Sequence, residues 1–103
     1  HAQIEKNQPR TIRSAVNNLL FAVKRDPNHA FAWRQLGTAY GRLGLMGKSA
    51  RALAEENLIL KRYREAIKLA GRAKKLSKEG SPTWIKATDI EAIARQNLGK
   101  KSP

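Results

Sequence analysis

Between Asp26 and Tyr40 the chain reads Asp-Pro-Asn-His-Ala-Phe-Ala-Trp-Arg-Gln-Leu-Gly-Thr-Ala-Tyr, and within it Trp33, Leu36, Gly37 and Tyr40 recur at steps of three and four. At about 100° per residue these positions share one side of a helix. Three carry large side chains and the fourth carries none, so the stripe leaves room for a partner helix to approach closely at Gly37. A helix this short is marginal alone in water. The stripe therefore demands at least a second helix.

The rest of the chain supplies candidates. A first helix is expected from about Arg10 or Thr11 to Lys24, with Ala15, Leu19, Ala22 and Val23 at helical spacing and Ile12, Val16 and Leu20 widening the face. Asp26-Pro27 ends it, because a residue before proline is pushed out of the α region. A second helix should take Asn28 as N-cap and run to Leu43, with Gly44 as left-handed cap and Gly44 to Gly47 as the turn. A third, about Lys48 to Leu60, turns Ala50, Leu53, Ala54, Asn57 and Leu58 to the core. Lys61-Arg62 contains no Gly, Pro or Asn, so the pattern admits either a break there or one continuous long helix. From about Tyr63 to Leu76 one face holds Tyr63, Ala66, Ala70 and Ala73, widened by Ile67, Leu69 and Leu76. Glu79-Gly80 closes it. Ser81 and Pro82 then read as N-cap and first residue of a last helix, since proline there gives up only an amide with no intrahelical partner. Trp84, Ile85, Ala87, Ile90, Ile93 and Ala94 form its apolar side, and Leu98-Gly99 ends it. The expected division is a linker over residues 1–9, a helical domain over 10–99 and a tail over 100–103. The missing initiator methionine reads as an excised or processed fragment.

Trp33-x2-Leu36-Gly37-x2-Tyr40 matches the first helix of a tetratricopeptide repeat (TPR). Ala15, Leu19, Ala22 and Pro27 fit the second helix of such a repeat, as do Tyr63, Ala66, Ala70 and Ala73. The expected fold is all-α, a TPR-like α-solenoid of about five antiparallel helices. Its phase is irregular. Helices of a regular array recur about every 17 residues, yet Ala15 and Ala66 lie 51 residues apart, an odd number of half-repeats. The third helix must therefore partner both the second and the fourth.

Composition narrows the function. With 21 basic residues against 8 acidic, the chain carries a formal charge of +13, which favours anionic partners without choosing among them. No cysteine is present, so disulfides, thiolate metal sites and a cysteine nucleophile are excluded. No apolar run approaches the roughly 18 residues needed to cross a bilayer, and the first residues lack a signal-peptide core. No serine sits in a nucleophile elbow. The two histidines, His1 and His29, fall in the linker and at a helix start, with no carboxylate cluster beside them. Glu55 and Glu56 are adjacent and so point in different directions, one at the core edge and one into solvent.

Binding has more support. On the second helix the TPR template aims Phe31, Arg34, Thr38, Gly41 and Arg42 into the concave groove. Two arginines about two turns apart beside an aromatic suit a carboxylate or the backbone of an extended peptide. The bland alternative packs Phe31 on the preceding helix and leaves both arginines solvated. Lys61, Arg64, Lys68, Arg72 and Lys75 form a basic stripe along the fourth helix, readable as solvated surface, as a contact with acidic protein or membrane, or as a phosphate contact. Nucleic acid is the weakest of these, because Trp33 and Tyr63 are committed to packing and are not free to stack on bases. Trp84 either caps the core or docks a partner; capping fits better.

One further resemblance is closer than to TPRs in general. It rests on the run Ala32 to Arg42, then Ala50, Leu53, Ala54, Glu55, Tyr63-Arg64-Glu65-Ala66 and Ala70, and finally Gly80-Ser81-Pro82-Thr83-Trp84-Ile85-Lys86-Ala87-Thr88-Asp89-Ile90. Together these resemble the C-terminal TPR region of bacterial envelope zinc metallopeptidases of the BepA-like type, over about Thr11 to Ile93. The resemblance implies a catalytic domain with an HExxH zinc motif elsewhere in the parent protein. This chain has no HExxH, so it would be the non-catalytic part, with no cofactor of its own and zinc expected only in the absent domain. The same resemblance implies a periplasmic or envelope-associated location, and substrates or outer-membrane assembly components as protein partners. Lys61-Arg62 stands where that family would lead one to expect a Gly-Asp turn.

Overall fold

The computed structural model describes residues 9–100. Five α-helices follow one another: α1 (Pro9–Arg25), α2 (Ala30–Arg42), α3 (Met46–Ile59), α4 (Tyr63–Lys75) and α5 (Pro82–Lys100). No strand occurs among the described residues. A Cβ placed on Gly41 would meet Ser49 and one placed on Gly37 would meet Leu53, so α2 and α3 run in opposite directions. The short connections elsewhere, the longest of them between Lys75 and Pro82, favour the same up-and-down order. Apart from Pro9 and Lys100, the expected linker and tail lie outside the described residues; Pro9 opens α1 and Lys100 closes α5.

The helix ends follow from cap chemistry, with corrections. The N-cap of α2 is His29, whose Nδ1 accepts from the Ala32 amide at 3.1 Å, while Asn28 instead donates its amide to the Asp26 carboxylate at 3.2 Å. At the other end of α2, Gly44 at φ +78° lets the Leu45 amide donate to the Tyr40 carbonyl at 2.9 Å and its own amide to Gly41 at 3.0 Å. This is the Schellman arrangement. It completes the turn sooner than expected, so α3 begins at Met46. Ser81 caps α5 as its sequence implies, its Oγ accepting from the Trp84 amide at 3.3 Å. Gly99 does not stop α5, which runs on to Lys100.

The break between α3 and α4 is real, and its geometry repeats that of Gly44 without a glycine. The Arg62 amide donates to the Asn57 carbonyl at 2.8 Å and the Lys61 amide to Leu58 at 3.0 Å, with Lys61 at φ +62°. A left-handed lysine costs about 1–2 kcal/mol, partly offset by the greater freedom a glycine would lose on folding. Lys61→Gly is therefore expected to raise stability by about 0.5–1 kcal/mol in a urea melt; a loss of stability would show that the lysine side chain holds the turn.

Two clusters make the core. Ile12, Val16 and Val23 of α1 pack with Ala32, Trp33, Leu36 and Ala39 of α2 and with Ala52 of α3. Ala50 and Ala54 of α3 pack with Ala66, Ala70 and Ala73 of α4 and Ala87, Ile90 and Ala94 of α5. Opposite faces of α3 thus feed the two clusters, and the helix packs on α2, α4 and α5. Of the contacts between next-but-one helices, only α3 with α5 is made among the described residues. Helices α3 to α5 form a three-helix unit, and α1 is attached to it through α2. Because α1 and α5 are each covered on one side, several residues expected in the core are open: Ala15, Leu20, Ile85 and Ile93 are exposed, as is Leu76, which lies past the last turn of α4 as its C-cap.

Lys74 and Glu91 clamp α4 to α5. The Lys74 ammonium donates to Glu91 Oε1 at 3.0 Å, and Arg95 reaches Oε2 at 3.3 Å. The Lys74 hydrogen bond, reinforced by Arg95, holds the Glu91 carboxyl below the usual carboxylate range against the opposing effect of burial.

Candidate functional site

Phe31, Arg34, Thr38 and Arg42 stand at steps of three and four on α2, beside the stripe that is buried. The structure brings all four together. They line one wall of a groove of about 300 Å³, whose opposite wall is Thr11, Ala15 and Leu19 of α1. Phe31 is 60% exposed, so it does not spend its ring on the preceding helix. Ala15, out of the core, serves as part of this wall. Arg34 and Arg42 are exposed and have no carboxylate within 4 Å among the described residues. The Thr38 hydroxyl donates to the Arg34 carbonyl at 3.2 Å and so offers a ligand its lone pairs and methyl group. Gly41 belongs elsewhere: it faces α3, where an added Cβ would stand 3.4 Å from the Ser49 hydroxyl, an ordinary contact distance.

The basic stripe is exposed along α4 at Arg64, Lys68, Arg72 and Lys75. Lys68 has a carboxylate nearby, Glu65 at 3.9 Å, which in so exposed a pair contributes little. Lys61 is exposed too, but it lies in the turn before α4 rather than on the helix.

A second concave surface, on the other side of α2, is not apparent from any single helix. Phe21 and Lys24 of α1, Trp33 of α2, Arg51 of α3 and Lys86 of α5 line a hollow of about 670 Å³. It continues into a smaller one, about 210 Å³, bounded by Tyr40, Lys48, Arg51 and Lys86. Its cations come one or two at a time from α1, α3 and α5, so no spacing within a helix announces it.

Trp33 organises this surface. Its indole N–H donates to the Pro27 carbonyl at 2.8 Å, fixing the ring against the α1–α2 connection. The Arg51 guanidinium lies 4.8 Å from the ring centre and also donates to Glu55 at 2.9 Å. Arg51 Nε is buried with no partner among the described residues. Lys48 lies 5.8 Å from the Tyr40 ring; burial pushes the Tyr40 hydroxyl upward, with the positive charge of Arg51 opposing. Trp84 is partly buried, with Lys74 at 5.3 Å from its ring.

His29 is occupied in capping α2 and Glu55 in holding Arg51. No group of three His, Cys, Asp or Glu residues able to hold a metal occurs among the described residues. Comparison with models of known protein families, with curated proteins and with solved structures gives no match to this chain.

Proposed function

We propose that this chain is a TPR-like α-solenoid module that binds protein or peptide ligands and does no catalysis itself. In the setting its resemblance implies, it is the C-terminal part of a bacterial envelope zinc metallopeptidase, recruiting substrates or outer-membrane assembly partners to a catalytic domain elsewhere in the parent protein. The observation that carries the binding reading is the α1–α2 groove, where a largely exposed Phe31 lies one turn before the first of two arginines that lack carboxylate partners among the described residues. Arg34 and Arg42 are eight residues apart on α2, which is about 12 Å along the helix. That distance suits two carboxylates or carbonyls about four residues apart on an extended peptide, at roughly 3.3 Å per residue. Phe31 would take an apolar side chain just beyond the Arg34 end of that span.

The test is a pulldown from an envelope extract with the wild-type chain and the Arg34→Ala/Arg42→Ala variant, followed by titration of the retained species. Loss of two charge-assisted contacts, at about 1.5–3 kcal/mol each, predicts retention weakened at least about tenfold. Equal retention by both chains would remove the groove from the mechanism.

Arg64, Arg72 and Lys75 of α4, exposed and with no carboxylate within 4 Å among the described residues, favour a second reading, a basic module that binds anionic lipid or nucleic acid by charge. It predicts a steep salt dependence, with about one unit of log–log slope lost per phosphate-contacting residue removed from Arg64, Arg72 and Lys75. Weak, salt-insensitive retention on heparin would exclude it.

A further inference from the structure

We infer that the hollow between α1, α2, α3 and α5 is a second docking site, distinct from the α1–α2 groove, and that its occupant is an acidic segment of a partner protein carrying a large apolar side chain. Four cations from three helices border it: Lys24, Lys48, Arg51 and Lys86. Among the described residues the one carboxylate within 4 Å of any of them is Glu55, already bonded to Arg51. The imbalance is local as well as global, and a negatively charged occupant relieves it.

The floor argues for a peptide over a nucleic acid. Single-stranded nucleic acid needs a run of open ring faces on which successive bases stack, and here Trp33 is buried, Tyr40 is half-buried and each ring has a cation over one face. Arg51 lies over Trp33 at 4.8 Å, Lys48 over Tyr40 at 5.8 Å and Arg25 over Phe21 at 5.6 Å. What remains open is the apolar edge of Phe21, 62% exposed, beside Leu20 at 39%. A side chain such as leucine or phenylalanine fits that edge while flanking carboxylates meet Lys24, Lys86 and Lys48. Arg51, held by Glu55 and by the Trp33 ring, presents its charge without first having to be ordered.

The probe is a fluorescein-labelled twelve-residue peptide of glutamates around a central Leu-Phe pair, titrated against the chain by anisotropy at fixed ionic strength. Lys48→Glu/Lys86→Glu, at exposed positions, is expected to weaken binding at least about tenfold, and Phe21→Ala by several fold. Lys68→Glu/Arg72→Glu on α4 makes the same change in net charge and is expected to leave affinity within about twofold. If circular dichroism shows that the first double variant has lost its helices, Lys24→Glu takes its place with the same expected direction. Equal weakening by the α4 variant would reduce the effect to bulk charge and overturn the assignment. So would tighter binding of a uridine dodecamer or of phosphatidylglycerol vesicles. A loss with Arg34→Ala/Arg42→Ala matching that of Lys48→Glu/Lys86→Glu would place the peptide in the α1–α2 groove and refute the second site.

Discussion

A Gly37→Val chain is expected to be less stable than the natural sequence by about 3 kcal/mol, which for a domain of this size lowers the melting temperature by about 15 °C. The cause is local. A Cβ on Gly37 would stand 2.8 Å from Leu53 Cγ and Cδ2, and 3.3 Å from the Ser49 carbonyl oxygen. The leucine can swing partly aside, but the carbonyl belongs to the backbone of α3 and moves only with that helix. Ser49 also donates its hydroxyl to the Gly37 carbonyl at 2.7 Å, a buried bond that any widening of the gap stretches. Alanine at this site gains about 1 kcal/mol of helix propensity over glycine and should lose little net stability. Valine adds two methyls, of which the gap has room for neither, and forgoes part of that propensity. Gly71→Ala is the control: it sits inside α4, and an added Cβ there meets nothing within 4 Å, so it should gain up to about 1 kcal/mol. Thermal melts followed by circular dichroism measure all three. A Gly37→Val loss below about 0.5 kcal/mol, well short of the usual cost of overpacking, would mean that α2 and α3 are not in this close contact.

The contact at Gly37 was legible because the stripe around it holds residues of unequal size at helical spacing, and a glycine in that stripe has few uses besides close approach. Three of the four helix breaks were legible for a similar reason: Asp26-Pro27, Gly44 and Gly80-Ser81-Pro82 each interrupt the backbone in a way that depends on residue type. The Lys61 turn was open to two readings because its left-handed conformation is imposed by the Asn57 and Leu58 carbonyls and by packing on both sides, not by the lysine. Periodicity also could not say which apolar residues lie at the ends of the array. Ala15, Leu20, Ile85 and Ile93 have the right spacing but no neighbour to bury them. For the candidate sites the division is the same. Phe31, Arg34, Thr38 and Arg42 share one helix, so spacing alone put them on one wall. The hollow around Arg51 gathers residues from four helices, and only their packing brings Lys86 and Lys24 to the same rim.

Trp33 joins the core to that hollow, and Trp33→Ala should cost about 4 kcal/mol, the largest loss expected of any single substitution here. Three terms combine. The ring is 6% exposed and packs among Val23, Leu36 and their neighbours, so truncation leaves a cavity where α1 meets α2. The indole hydrogen bond to the Pro27 carbonyl disappears, freeing the α1–α2 connection. Arg51 loses the ring beneath its guanidinium while its Nε stays buried and without a partner, so a charge is left over a void. Trp33→Phe separates these terms. It keeps most of the volume and part of the cation contact but removes the donor, and should cost about 1.5 kcal/mol. Because among the described residues the backbone of α1 comes close only to that of α2, the loss should fall unevenly, and hydrogen exchange should show α1 opening before α3 to α5 in both variants. Uniform acceleration of exchange across all five helices would instead show that the two clusters fold as one cooperative unit, with α3 transmitting the damage at Trp33 to the alanine-lined interface of α4 and α5.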